Sequence, residues 1–160
     1  MSLIAFTTLA LMRAPYGDPQ VQGFFDRMAS VFAAAEGSEG FIARSVRDDR
    51  TGRHSWGEMV HPRFVIPEQH AHIARTLSLW SSVESVQEFT YRGAHGQAFL
   101  DRADWFNPMA WPTHAAWWVP DDHVPDWREA AERIEHLHEH GPTAFAFTFA
   151  RAFGAGGNAF

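Results

Sequence analysis

The sequence predicts an α+β fold: an antiparallel sheet with helices on one face, in the ferredoxin-like β-α-β-β-α-β order, extended by a C-terminal α-β unit. Two observations predict it. Short apolar or alternating runs, typical of strands, occur between longer segments in which apolar residues recur every three or four positions, typical of helices. No repeat or linker divides the 160 residues, so we expect one domain over residues 1–160.

The first helix has a clear start signal. Residues 3–11 alternate apolar and small side chains and predict the first strand. Asp18 suits the N-cap and Pro19 the first helical position, which predicts a helix that runs to about Glu36. A second strand is expected over residues 41–47.

Residues 48–72 are the least regular part of the sequence. They contain turn-like residues and several prolines, so we expect an irregular insertion that covers an edge of the domain. A third strand is expected over residues 73–80. The Ser-Ser-Val-Glu sequence at residues 81–84 fits a capping box and predicts the start of the second helix there.

The C-terminal part repeats the strand and helix patterns. Residues 115–119 predict a buried strand, and a third helix is expected between Pro125 and Gly141. Residues 151–160 are rich in glycine and predict a loose tail. A last strand is expected between that helix and the tail, with three alternating rings on one face: Phe145, Phe147 and Phe149.

The composition limits the classes of partner. The net charge is −6 without a basic cluster, which argues against nucleic acid. No apolar run reaches 18 residues, so no membrane span is expected. The chain has no cysteine, which excludes disulfides and fits a cytoplasmic location. A sheet with helices on one face leaves its other face apolar, so we expect a homodimer that buries it.

Several short motifs resemble the family called domain of unknown function 3291. The resemblance is good over residues 73–150 and fair over residues 3–47. That family belongs to the dimeric α/β-barrel group, alongside antibiotic-biosynthesis monooxygenases, so the resemblance implies a dimeric α/β barrel. The motifs are Leu79-Trp80, Tyr91-Arg92, Ala94-His95, Trp105-Phe106, Trp117-Trp118-Val119-Pro120, His123 and Gly141-Pro142.

His95 is the leading candidate for a catalytic residue. Helical spacing places it on one face with Tyr91 and Phe99, and Arg102 continues that face. An imidazole among rings suits a general base near neutral pH or an axial ligand of haem iron. The alternative is a buried or interface histidine that bonds a backbone carbonyl.

The remaining candidates surround that histidine in the expected site. Tyr91 or Arg102 would stabilise an oxyanion, although both also suit a solvated helix face. His123 follows a strand and could close over a pocket or lie in a surface loop. Adjacent Asp-Asp-His residues rarely share one ion, so no metal is expected. The rings expected to bind substrate are Trp80, Phe99, Trp105 and Trp118; Trp80 equally suits the core.

Three functions follow as hypotheses. The first is a small-molecule enzyme that resembles cofactor-free antibiotic-biosynthesis monooxygenases and acts on an apolar or aromatic substrate between the sheet and the second helix. The second is a haem-binding protein or enzyme with His95 as axial ligand. The third is a dimer that binds a ligand without catalysis.

Overall fold

A computed structural model describes residues 1–92 and 102–160 of the chain. The element order confirms a mixed α+β fold. The strands and α-helices are β1 (Ser2–Met12), α1 (Gln22–Glu36), β2 (Phe41–Arg44), β3 (Ile73–Trp80), α2 (Val83–Tyr91), β4 (Phe106–Asn107), β5 (His114–Pro120) and α3 (Trp127–His140). None of the helices in the described ranges has an apolar stretch long enough to cross a membrane.

The five strands form one antiparallel sheet centred on β1. The order is β2-β3-β1, and both β5 and the short β4 pair with the other edge of β1. Ile4 lies opposite Trp80 of β3 and Trp118 of β5, which fixes which side chains share a face. This order is consistent with the ferredoxin-like plan.

Local hydrogen bonds explain where the helices begin. The Asp18 carboxylate accepts a hydrogen bond from the Gln20 amide at 2.8 Å and begins a short 3-10 turn that leads into α1. The Ser82 hydroxyl caps α2, and the Asp126 carboxylate caps α3 by accepting from the Glu129 amide at 2.8 Å. The predicted starts of these helices are therefore confirmed.

Helices α1 and α2 cover one face of the sheet. Val83 and Val86 of α2 pack against Ile4, Phe6 and Trp80 in one buried cluster. At the other end of β1, the start of α1 packs on the same face through aromatic rings.

The opposite face is also covered, which differs from the expectation of helices on one face. Trp127 of α3 packs with Leu77 and Trp117, and Ile134 packs with Leu9. Side chains of the irregular segment at residues 48–66 complete this layer. Because both parities of the central strands are apolar, the sheet needs a cover on each face. An uncovered apolar face of the sheet is therefore no longer a reason to expect a homodimer, and the homodimer stays a prediction.

The last part of the chain differs from the expected strand. In place of a strand, Phe147 makes an isolated bridge to Ala116 of β5, and Phe145 lies exposed beside α3. The tail makes specific contacts: the Trp118 indole N–H donates to the Phe153 carbonyl at 2.7 Å, and Ala152 is buried. The glycines allow the chain to turn back on itself, with Gly157 at a φ of 87°.

Candidate functional site

A groove of about 480 Å³ lies between the end of β5 and the first turns of α3. The cap on α3 places Glu129 in the first turn of the helix, and a turn after β5 brings His123 towards it, with the His123 amide bonded to the Pro120 carbonyl at 3.0 Å. Among the residues that line this groove are Trp118, His123, Glu129 and Arg133.

A histidine–carboxylate pair is the main polar feature of the groove. His123 Nε2 lies 2.6 Å from Glu129 Oε2. The other carboxylate oxygen accepts a hydrogen bond of 2.8 Å from the indole N–H of the fully buried Trp117. A carboxylate accepts hydrogen bonds, so this contact favours the tautomer with the proton on Nε2 and leaves Nδ1 as the basic nitrogen. The His123 side chain is 44% exposed, so it remains accessible from solvent.

Arg133 adds a cation to the same groove. One guanidinium nitrogen, Nη2, lies 3.7 Å from Glu129 Oε1, and Nη1 donates to the Phe145 carbonyl at 2.7 Å. Burial lowers the pKa of Arg133, whereas Glu129 and Glu132 raise it. The groove thus combines a base and a guanidinium, and Trp118 of β5 is among the residues that line it.

Two predicted ring contacts lie away from this groove. Trp80 is 1% exposed, stacks on Phe89 and donates its indole N–H to Ser78 Oγ at 2.9 Å, so it fills the core. Trp105 is 6% exposed and packs against Phe24 of α1. Of the residues predicted from sequence, the structure brings together Trp118 and His123.

The predicted catalytic helix face is described only in part. His95 and Phe99 lie outside the described residues, so the proposed base and haem ligand at His95 stay predictions. Tyr91 is the last residue of α2, is 57% exposed and has its ring 6.1 Å from that of Phe149. Arg102 begins an exposed 3-10 turn. Neither of these two residues lines the groove.

Sequence reasoning missed Glu129 and Arg133 as site residues. Glu129 was visible as the acidic residue three positions after the cap, and Arg133 follows it by one helical turn. Their spacing predicts a shared helix face. It does not reveal Trp117, which lies on another element and holds the carboxylate.

His114 was also missed, and it lies on the opposite face of the sheet from α3. Its ring packs between Phe6 and Phe149, and its Nε2 accepts a hydrogen bond from the Phe149 amide at 3.3 Å. Burial lowers the pKa of His114 to about 4, so the ring is neutral at pH 7. Because Nε2 of His114 already accepts a hydrogen bond, this imidazole is less suited than that of His123 to act as a base. The sequence did contain one signal: His114 alternates with Ala116 and Trp118 along β5, so these three side chains share a face of the sheet.

Comparisons with known proteins give a family and distant similarity to solved structures. A family model described as domain of unknown function (DUF3291) matches residues 3–159. No curated protein matches the chain. A solved structure, the crystal structure of a conserved protein from Methanosarcina mazei Go1, is similar with a TM-score of 0.47 and 12% identity, covering 74% of this chain and 92% of that one.

Proposed function

Because the chain belongs to the family described as domain of unknown function DUF3291, which names no reaction, we propose a function from the groove: a small-molecule enzyme in which His123 removes a proton from an aromatic phenol or enol. This keeps the reaction class expected from sequence, resembling the cofactor-free monooxygenases. It moves the site from the α2 side of the sheet to the groove beside α3.

The contact that carries the proposal is the one between His123 and Glu129. A carboxylate that bonds one imidazole nitrogen fixes the ring and stabilises the imidazolium that forms when the other nitrogen takes a proton. At 2.6 Å this bond is short, and the Trp117 indole holds the carboxylate from behind. A positioned general base of this kind contributes about 10²- to 10⁴-fold to a rate.

The walls of the groove suggest the class of substrate. Trp118, Val119 and Pro120 give the groove an apolar side that suits an aromatic ring, and Arg133 supplies positive charge for a developing phenolate or enolate. The volume of about 480 Å³ suits a molecule of two or three fused rings.

The proposed reaction balances with dioxygen as the second substrate. In an anthrone, the ring C–H bond breaks and its proton goes to His123 Nδ1. The resulting carbanion forms a C–O bond with dioxygen, and the peroxide takes the proton back from His123. The second C–H bond of the same carbon then loses its proton to the base as the O–O bond breaks, so that one oxygen atom becomes the ketone oxygen and the other leaves as hydroxide, which this proton converts to water. The net conversion is anthrone plus dioxygen to anthraquinone plus water.

The resemblance further implies a homodimeric barrel, and the lack of cysteine fits a cytoplasmic location; both remain within the proposal. Light scattering of the purified chain tests the first part. A measured mass equal to one chain at micromolar concentration would exclude the homodimer. It would not affect the groove, because all of its residues belong to one chain.

The test uses 1,8-dihydroxyanthrone as probe and follows quinone formation by visible absorbance. We expect His123→Gln to lower kcat/KM by about 10²-fold or more, and Glu129→Gln to lower it by a smaller factor. His138→Asn is the matched control because this exposed histidine lies on α3 outside the groove, and it should keep the wild-type rate. A wild-type rate no faster than spontaneous oxidation, or an unchanged rate in His123→Gln, would overturn the proposal.

A further inference from the structure

Arg75 has two shielded hydrogen-bond donors without acceptors. It lies on β3 opposite Leu9, and its side chain is on the face of the sheet that α3 covers. Its Nη1 donates to the Val60 carbonyl. Its Nε and Nη2 are hidden from solvent and have no hydrogen-bond partner among the described residues.

Within the described residues, no carboxylate neutralises the charge of this guanidinium. Burial lowers the pKa of Arg75 to about 10, so the group is still protonated at neutral pH. No carboxylate in the described part of the chain forms an ion pair with it. Buried polar groups are nearly always hydrogen-bonded, and buried charges are nearly always paired. A missing anion would explain both orphan donors together.

The two free nitrogens form one edge of the guanidinium plane. Nε and Nη2 present parallel N–H groups that match the two oxygens of a carboxylate. The group is fixed in place, because Nη1 is bonded to Val60 and the Trp127 ring lies 5.0 Å from Arg75 Cζ. The free edge is therefore already oriented for a planar, bidentate anion.

His61 supplies a second unbonded polar atom, on the residue that follows Val60, the partner of Arg75 Nη1. Its Nδ1 is shielded and unbonded within the described residues, and its ring stacks on His70 with centroids 4.1 Å apart. Burial, followed by the charges of His70 and Arg75, lowers the pKa of His61 to about 4, so the ring is neutral at pH 7. A neutral imidazole can donate one N–H to the same anion. The exposed ring of His70 marks where the cluster reaches the surface.

We propose that Arg75 and His61 form a binding site for a small carboxylate, separate from the groove and beyond the proposed function. One guanidinium with a neutral imidazole balances the single charge of a carboxylate and leaves a doubly charged phosphate half uncompensated. The apolar neighbours of Arg75, among them Leu77 and Trp127, favour a ligand with an apolar body behind its carboxylate.

The test is thermal unfolding of the full chain with acetate, benzoate, inorganic phosphate or chloride at equal ionic strength. We expect a saturable rise in Tm with acetate or benzoate and a weaker one or none with phosphate or chloride. Arg75→Lys keeps the charge without the fork, so it should raise the carboxylate Kd by tenfold or more. His61→Gln should raise it less, and Arg53→Met, an exposed arginine in the same segment, should leave it unchanged.

Two results would overturn the proposal. The first is a carboxylate effect no larger than that of chloride, or a phosphate effect equal to it. The second is an Arg75→Lys variant that binds carboxylate as tightly as wild type. If the Arg75 variants do not fold, the carboxyl resonance of ¹³C-labelled acetate added to the wild-type chain decides: line broadening that benzoate reverses supports the site, and an unchanged line excludes it.

Discussion

The groove beside α3 and the cluster around Arg75 both combine a histidine with an arginine, but they differ in how these groups are satisfied. In the groove, His123, Glu129 and Arg133 bond one another or their neighbours, and His123 remains half in solvent. In the cluster, Nε and Nη2 of Arg75 and Nδ1 of His61 are shielded and have no hydrogen-bond partner within the described part of the chain. Partnered and accessible groups suit proton transfer, whereas unpartnered and hidden groups suit the binding of an anion.

The largest expected effect comes from removing the carboxylate of the groove. Glu129→Ala leaves the indole N–H of the fully buried Trp117 without its acceptor, which should cost about 1–3 kcal/mol of unfolding free energy. Glu129→Gln keeps an oxygen acceptor and should cost less. Urea unfolding of both variants measures the difference. Equal stability of the two variants would mean that the indole bond does not organise the groove.

Acid should weaken the fold through the buried histidines. The pKa of His114 is lowered to about 4 by burial, and an unfolded histidine titrates near 6.5. Below pH 6.5, His114 therefore binds a proton in the unfolded chain but not in the folded chain. The contribution of His114 to the free energy of unfolding is present above pH 6.5 and is lost as the pH falls towards 4. In His114→Gln, the free energy of unfolding should fall less steeply with decreasing pH, by up to about 1 kcal/mol per pH unit.

Chemical denaturation at several pH values checks this effect, with His138→Asn as the control for a surface histidine. A slope in His114→Gln equal to that of wild type would contradict it. The same experiment sharpens the comparison of the two sites. His61 contributes a similar loss, and a carboxylate bound beside it should reduce that contribution.

Replacing Arg75 by an apolar side chain of similar length should cost little in the absence of ligand. Arg75→Met removes a buried charge that forms no ion pair among the described residues, and this gain offsets the loss of the Nη1 bond to the Val60 carbonyl, so the unfolding free energy should change by less than about 1 kcal/mol or rise. The comparison is made in chloride buffer free of carboxylates. A loss of more than about 3 kcal/mol would show that the charge is paired, and the contrast between the two sites would fail.

The smallest effect is expected at the rim of the groove. Trp118→Phe keeps a ring in the wall but removes the indole bond to the Phe153 carbonyl, which should cost about 1 kcal/mol. Proteolysis of the C-terminal tail measures the loosening. A cleavage rate equal to that of wild type would show that the tail is held by other contacts.

Features that depend on neighbouring residues in sequence were predictable, and features that depend on distant partners were not. Ser82 and Asp126 cap helices through bonds to residues three positions later, so their patterns were enough. Trp80 and Trp118 both lie in apolar strands. Trp80 is buried beneath Phe89, whereas Trp118 lines the groove. That difference arises from packing, which the alternation of a strand does not record.

The same reason explains the candidate site. The sequence predicted that His123 either closes over a pocket or lies in a surface loop; in the structure it lines the groove beside α3, and its role in a site stays a prediction. The sequence did not predict the bond to Glu129, because the carboxylate is held by Trp117 from a different element. In the sequence, Arg75 is one residue of an ordinary strand. The structure adds that the segment at residues 48–66 covers it and supplies no counter-charge.

In the proposed function, His123 takes a proton from a phenol held in the groove. The most direct measurement is the visible spectrum of bound 2-hydroxyanthraquinone, whose phenolate absorbs at longer wavelength than the neutral phenol. In a buffer acidic enough to keep the free dye neutral, wild-type protein should produce the phenolate band and His123→Gln should not. A dye that binds wild type and stays neutral, or a phenolate band that survives in His123→Gln, would contradict the claim.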